Sequence, residues 1–131
     1  MTPLAQFFKA LADDARLEIL FYLLNSDELC VCDLMELIHM TQSKTSRHLA
    51  TLRHAGLVQD RREAVWSYYS MAPIADPTHA AFIELLHRSL NAQSSTPKRR
   101  ERLNTWLETK KCRGSCTTPK EAMPPAQVSE G

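Results

Sequence analysis

The feature that most restricts the fold is an interruption in a helical pattern. Val31, Leu34, Leu37 and Ile38 recur at helical spacing, His39-Met-Thr-Gln42 breaks the series, and Thr45, Leu49 and Leu52 resume it at i, i+4 and i+7. Gly56 follows where a glycine commonly ends a helix. Two short helices joined by a tight turn, the second basic, describe a helix-turn-helix. Leu57-Val-Gln-Asp-Arg-Arg-Glu63 and Val65-Trp-Ser-Tyr-Tyr-Ser-Met71 are then short β-prone runs meeting near Glu63-Ala64, which predicts a hairpin wing without an Asn-Gly turn.

The flanking segments complete a mainly α fold with a small β-hairpin wing, a winged helix-turn-helix. Leu4, Phe7, Phe8 and Leu11 predict an amphipathic N-terminal helix with Pro3 in its first turn. A second helix is expected from about Asp14 to Asn25, and Leu17, Ile19, Leu20, Leu23 and Leu24 leave its second half almost no polar face, so it should be central to the core. Asp76-Pro77 supplies an N-cap and first-turn proline for a helix carrying Phe82, Ile83, Leu86 and Leu90. In a chain this small, the two peripheral apolar stripes predict a homodimer through the N- and C-terminal helices.

At 131 residues, 44% of them hydrophobic, the chain can bury one modest core. The expected division is a folded domain over 1–92 and a tail over 93–131, basic from 98 to 113 and then rich in Pro, polar and small residues and disordered. No apolar stretch approaches the roughly 20 residues needed to cross a bilayer, so no membrane partner is expected. The N-terminus lacks a basic head followed by an apolar core, which makes the cytoplasm the expected location.

Net charge is only +1, but its distribution is uneven. Residues 1–42 carry Lys9 and Arg16 against Asp13, Asp14, Glu18, Asp27, Glu28, Asp33 and Glu36, whereas residues 43–62 carry Lys44, Arg47, Arg53, Arg61 and Arg62 against Asp60. A basic segment beside acidic surface points to a localised anionic partner. A recognition helix presents its N-terminal side chains to base edges in the major groove, and Gln42, Ser43, Lys44, Ser46 and Arg47 cluster there. Gln suits adenine, Arg suits guanine, and Lys44 and the serines suit bases or phosphates. Arg61 and Arg62 on the wing would reach a flanking groove or phosphates, so double-stranded operator DNA is the expected partner.

The four cysteines fall into two pairs, Cys30 with Cys32 and Cys112 with Cys116. Cys-X-Cys at a helix start gathers two sulfurs where the partial positive charge of the helix terminus favours thiolates, which prefer soft ions. On the residues alone, ligation and a buried structural role are equally open. A thiol enzyme of the cysteine-phosphatase type would need Arg six positions after the nucleophile, and the four cysteines lead instead to Glu36, Ile38, Thr118 and Ala122. No enzyme and no organic cofactor are therefore expected. A redox switch within either pair and a structural zinc site linking the pairs are rival readings.

Glu28-Leu-Cys-Val-Cys-Asp-Leu34, followed by Gln42-Ser-Lys-Thr-Ser-Arg-His-Leu-Ala-Thr-Leu-Arg-His-Ala-Gly-Leu57, resembles the ArsR family of arsenical-responsive repressors, and Thr2 to Leu17 resembles the family's N-terminal helices. The likeness spans about residues 2 to 92. It implies a homodimer that blocks its own operon until As(III) or Sb(III), the inducer, binds Cys30 and Cys32. Members often place a third cysteine three residues after the second, where this chain has Met35. The third sulfur is then either replaced by a small exogenous ligand or supplied by Cys112 or Cys116. Zinc sensors of the superfamily use the C-terminal dimer helix. Asp76, His79 and His87 are present here, but Leu90 stands at the next ligand position and cannot ligate.

Overall fold

A computed structural model describes residues 3–93 and 96–113, with side chains through 108. Among the described residues, six helices and three strands follow in the order α1 (Pro3–Leu11), α2 (Asp14–Leu24), β1 (Leu29–Cys30), α3 (Val31–Ile38), α4 (Gln42–His54), β2 (Val58–Glu63), β3 (Trp66–Met71), α5 (Pro77–Asn91) and α6 (Thr96–Arg113).

The core forms around α2, where five consecutive residues, Ile19 to Leu23, are buried. A helix apolar on every side must be surrounded, and Leu34 and Leu37 of α3, Leu49 and Leu52 of α4, Phe7 of α1, Ile83 and Leu90 of α5 and Leu103 of α6 belong to the same buried cluster. Asp13 caps α2 by accepting from the Arg16 N–H at 3.1 Å. Burial alone would raise the Asp13 pKa, but that hydrogen bond and the nearby charges of Arg16 and His48 outweigh it and hold the carboxyl below its ordinary range.

The helix-turn-helix lies where the periodicity predicts it. His39 closes α3 in the left-handed conformation (φ 55°), Met40 donates its N–H back to Met35 O, and Thr41 caps α4 by accepting from the Lys44 N–H. Thr45, Leu49 and Leu52 are the buried residues of α4. Gly56 (φ +81°) ends the helix with Gly56 N–H to Arg53 O and Leu57 N–H to Leu52 O, the paired bonds of a Schellman motif.

The wing is larger than the expected hairpin. β2 and β3 pair antiparallel from Val58↔Met71 to Glu63↔Trp66, closing a two-residue tip of Ala64 (φ 57°) and Val65. Across β3 lies β1, with Leu29↔Tyr69 and Cys30↔Tyr68, so the sheet has three strands in the order β1-β3-β2. A two-residue strand carries no alternation to read, and only the partner strand reveals it. Cys30 is thus the end of a strand and the N-cap of α3 rather than a residue within a helix.

The expected division after residue 92 falls between α5 and α6. Beyond it Leu103 is buried, and Trp106 and Leu107 are half-buried against the core. Residues 114–131, including the Pro-rich segment and Cys116, lie outside the described residues, as does the side chain of Cys112. No helix among the described residues is long and apolar enough to cross a membrane.

A Cβ at Gly56 would meet nothing within 4 Å, so the cost of adding one is conformational. Gly56→Ala is expected to lose about 1–2 kcal/mol, the penalty of a left-handed L-residue, and urea unfolding should show the midpoint fall with the slope unchanged.

Candidate thiol centre and nucleic-acid interface

The first turn of α3 carries both proximal cysteines. Cys30, at the N-cap, is buried, and Cys32, two residues on, is half-buried. Cys30 is disulfide-bonded. Cys112 and Cys116, the candidate third ligands, lie outside the described side chains. Met35 is half-buried, one turn after Cys32. Among the described residues no group of three or more His, Cys, Asp or Glu is placed to hold a metal, so Asp76, His79 and His87 form no such cluster. His79 stacks on Phe7 at 4.3 Å, and His87 lies 3.5 Å from Asn25 Oδ1.

Asp33 is the residue that sequence reasoning passed over. Its carboxylate is fully buried, with Oδ2 accepting from the Cys30 N–H at 2.9 Å and Oδ1 from the Trp106 indole N–H at 2.8 Å. An acid three residues after the N-cap is the capping-box spacing, and that signal was in the sequence. Leu103, Trp106 and Leu107 at i, i+3 and i+4 likewise marked an inward face of α6.

The residues expected to read DNA divide by exposure. Gln42, Ser43, Lys44 and Arg47 are exposed along the start of α4, and Ser46 is half-buried beside them. His48, one turn further, meets the Arg16 guanidinium at 3.2 Å. Arg16 also donates to the carbonyls of Ala10 (2.7 Å) and Lys9 (3.3 Å), so one side chain ties the end of α1 to α4.

Arg61 and Arg62 are adjacent on β2 and therefore face opposite sides of the sheet. Arg61 lies over the Tyr68 ring at 4.6 Å, and its Nε donates to both Glu28 oxygens at 3.0 and 3.1 Å while Nη1 reaches Glu63. Hydrogen bonds to Glu28 and then Glu63 hold its guanidinium in the charged form even more firmly than usual. Two carboxylates thus offset the Arg61 charge. Arg62 stands exposed on the other face.

A helix-turn-helix with an exposed polar start to its second helix, followed by an antiparallel wing, defines a winged helix-turn-helix protein. Residues 13–60 match the family described as "Bacterial regulatory protein, arsR family". The chain is 48% identical over 68 residues to the "Arsenical resistance operon repressor" of Escherichia coli (strain K12), covering 52% of this chain and 58% of that protein. It is 47% identical over 66 residues to the "Arsenic resistance transcriptional regulator ArsR1" of Pseudomonas putida, covering 50% of this chain and 52% of that one. The chain thus spans little more than half the length of these curated relatives. "Reduced HlyU from Vibrio cholerae N16961" superposes with a TM-score of 0.58 at 41% identity, over 70% of this chain and 90% of that one. This chain belongs to the arsR family of bacterial regulatory proteins.

The two wing arginines should separate experimentally. In anisotropy titrations with a labelled duplex, Arg62→Ala is expected to weaken binding and flatten the plot of log K against log[salt] by about one. Arg61→Ala should leave that slope near the parent value, because its charge is already matched by Glu28 and Glu63.

Proposed function

We propose that the protein is a metalloid-responsive transcriptional repressor that binds operator DNA as a homodimer and lets go when As(III) or Sb(III) is captured by thiolates at Cys30 and Cys32. One observation carries the reading: Cys30 is the N-cap of α3 and Cys32 lies in its first turn, and this helix leads through the three-residue turn His39 to Thr41 into the exposed polar start of α4. Gln42, Ser43, Lys44, Ser46 and Arg47 read the major groove, and Arg62 meets backbone phosphate at the wing.

Capture balances without an oxidant. Each thiol replaces one hydroxyl of arsenous acid, so an As–S bond forms, an As–O bond breaks and one water leaves. Cys30 takes part only when its disulfide is reduced. Met35 offers only a neutral thioether, so the third position is filled either by a small exogenous ligand or by Cys112 or Cys116. Drawing two sulfurs onto one ion distorts the α3 first turn, and release requires only that the ion bind the DNA-incompetent state more tightly.

Dimerisation is supported by an exposed apolar face shared by α1 and α5. Leu4, Phe8, Phe82 and Leu85 are 44%, 43%, 36% and 55% exposed, and the Phe8 and Phe82 rings meet edge to face at 4.9 Å. Apolar groups gathered on one surface mark an interface.

A second reading, a thiol redox switch on the same scaffold, is favoured by the Cys30 disulfide. The solved reduced form of HlyU from Vibrio cholerae, to which this chain is similar, is consistent with it. The two readings differ in effector.

Band-shift assays on the promoter fragment of the protein's own operon are expected to show arsenite reversing binding by the reduced protein. Cys30→Ser and Cys32→Ser should each still bind DNA but ignore arsenite. Release of the double variant by arsenite sinks the thiol site, and release by peroxide but not arsenite moves the function to the redox reading. Sedimentation should find the parent dimeric and Phe8→Glu/Leu85→Glu monomeric, with DNA affinity lost alongside.

A further inference from the structure

α6 holds α3 at both ends of one turn. Arg102 Nη1 donates to the Leu37 carbonyl at 2.9 Å, close to the left-handed His39 that ends α3, and Trp106 Nε1 donates to Asp33 at 2.8 Å near its start. The spacing is matched, since 33 to 37 on α3 and 102 to 106 on α6 are each one helical turn, so the two helices run antiparallel along this contact. Leu103 is buried between the two anchors. Ion pairs from Arg99 and Arg102 to Glu18, at 3.9 and 3.8 Å, fasten the same helix to α2.

The Trp106 anchor acts directly on the thiol turn. Asp33 accepts from the indole with one oxygen and from the Cys30 N–H with the other, so the backbone that carries Cys30 is linked to α6 through a buried carboxylate. Moving Cys30 toward Cys32 rotates the first turn of α3 and with it the Asp33 carboxylate, which cannot keep both bonds at full strength. The indole bond therefore opposes the inducer-driven distortion.

We propose that Trp106 is a positioning residue for the switch. Through Asp33 it holds the thiol turn of α3 in the DNA-competent arrangement and so sets the inducer concentration at which DNA is released. The proposal rests on the reading of Cys30 and Cys32 as the inducer site and deepens it. If the indole bond exists only in the DNA-competent state, removing it shifts the equilibrium between the two states by the strength of a hydrogen bond to a carboxylate, about tenfold. Where the competent state dominates without inducer, that shift hardly changes DNA affinity but lowers the inducer needed for release by a similar factor.

The test uses the full chain, reduced with a phosphine, on the promoter fragment of its own operon. Trp106→Phe keeps an aromatic ring in place and removes the donor. The half-maximal arsenite concentration for release is expected to fall about tenfold, with arsenite-free DNA affinity within about twofold of the parent. Leu107→Ala, which weakens the packing of α6 without touching Asp33, is the control for a merely structural role. It should lower the melting temperature as much or more and leave the arsenite midpoint in place. In Trp66→Phe protein, where Trp106 is the remaining tryptophan, arsenite should change the indole emission over the same concentration range as release. Equal arsenite midpoints in the parent and Trp106→Phe, or equal shifts in Trp106→Phe and Leu107→Ala, overturn the proposal while leaving the thiol site standing. A parent protein that arsenite does not release overturns both.

Discussion

A carboxylate taken fully out of water has to be hydrogen-bonded, and the way Asp33 meets that requirement ties the molecule together. One of its oxygens accepts from the backbone at the β1–α3 junction and the other from an indole on α6, 73 residues further along the chain. Losing either donor from a buried carboxylate costs more than an ordinary surface hydrogen bond contributes. The geometry around Cys30 is therefore set by α6 as well as by α3.

The exposed start of α4 is arranged differently. Its polar side chains at the start of α4 are exposed, while the same helix buries Thr45, Leu49 and Leu52 against α2 and α3. Arg16 adds a polar tie by joining the end of α1 to His48 of α4. A helix fixed along its inner face presents its outer face in a defined orientation, which is what groove recognition demands. Because α4 follows α3 after only three residues, a rotation of α3 reaches α4 with little chain to absorb it.

Charge is deployed with similar economy. Arg61, Arg99 and Arg102 face acids on the protein itself, and Arg100 hydrogen-bonds Asn91. Much of the basic character of β2 and α6 is thus used in holding elements together, so a count of arginines overstates what is left for an external polyanion. Exposed ion pairs of this kind add little stability individually. Lys44 and Arg47 on α4 and Arg62 on β2 are exposed.

The helix-turn-helix, its terminating glycine, the capped α5 and the wing hairpin were legible in the sequence because each rests on local rules: periodicity, capping and turn chemistry act over fewer than ten residues. The inner face of α4 at Thr45, Leu49 and Leu52 and the Schellman ending at Gly56 appear in the structure as the sequence implied. What the sequence could not hold were the pairings between distant segments. The two-residue strand β1 exists only because β3 lies beside it, Arg61 is matched by a Glu28 brought from 33 residues away, and α6 is core rather than tail because Leu103 and Trp106 find α3. Contacts of that kind arise when the whole core closes, and no spacing within a single segment encodes which partner each residue will meet.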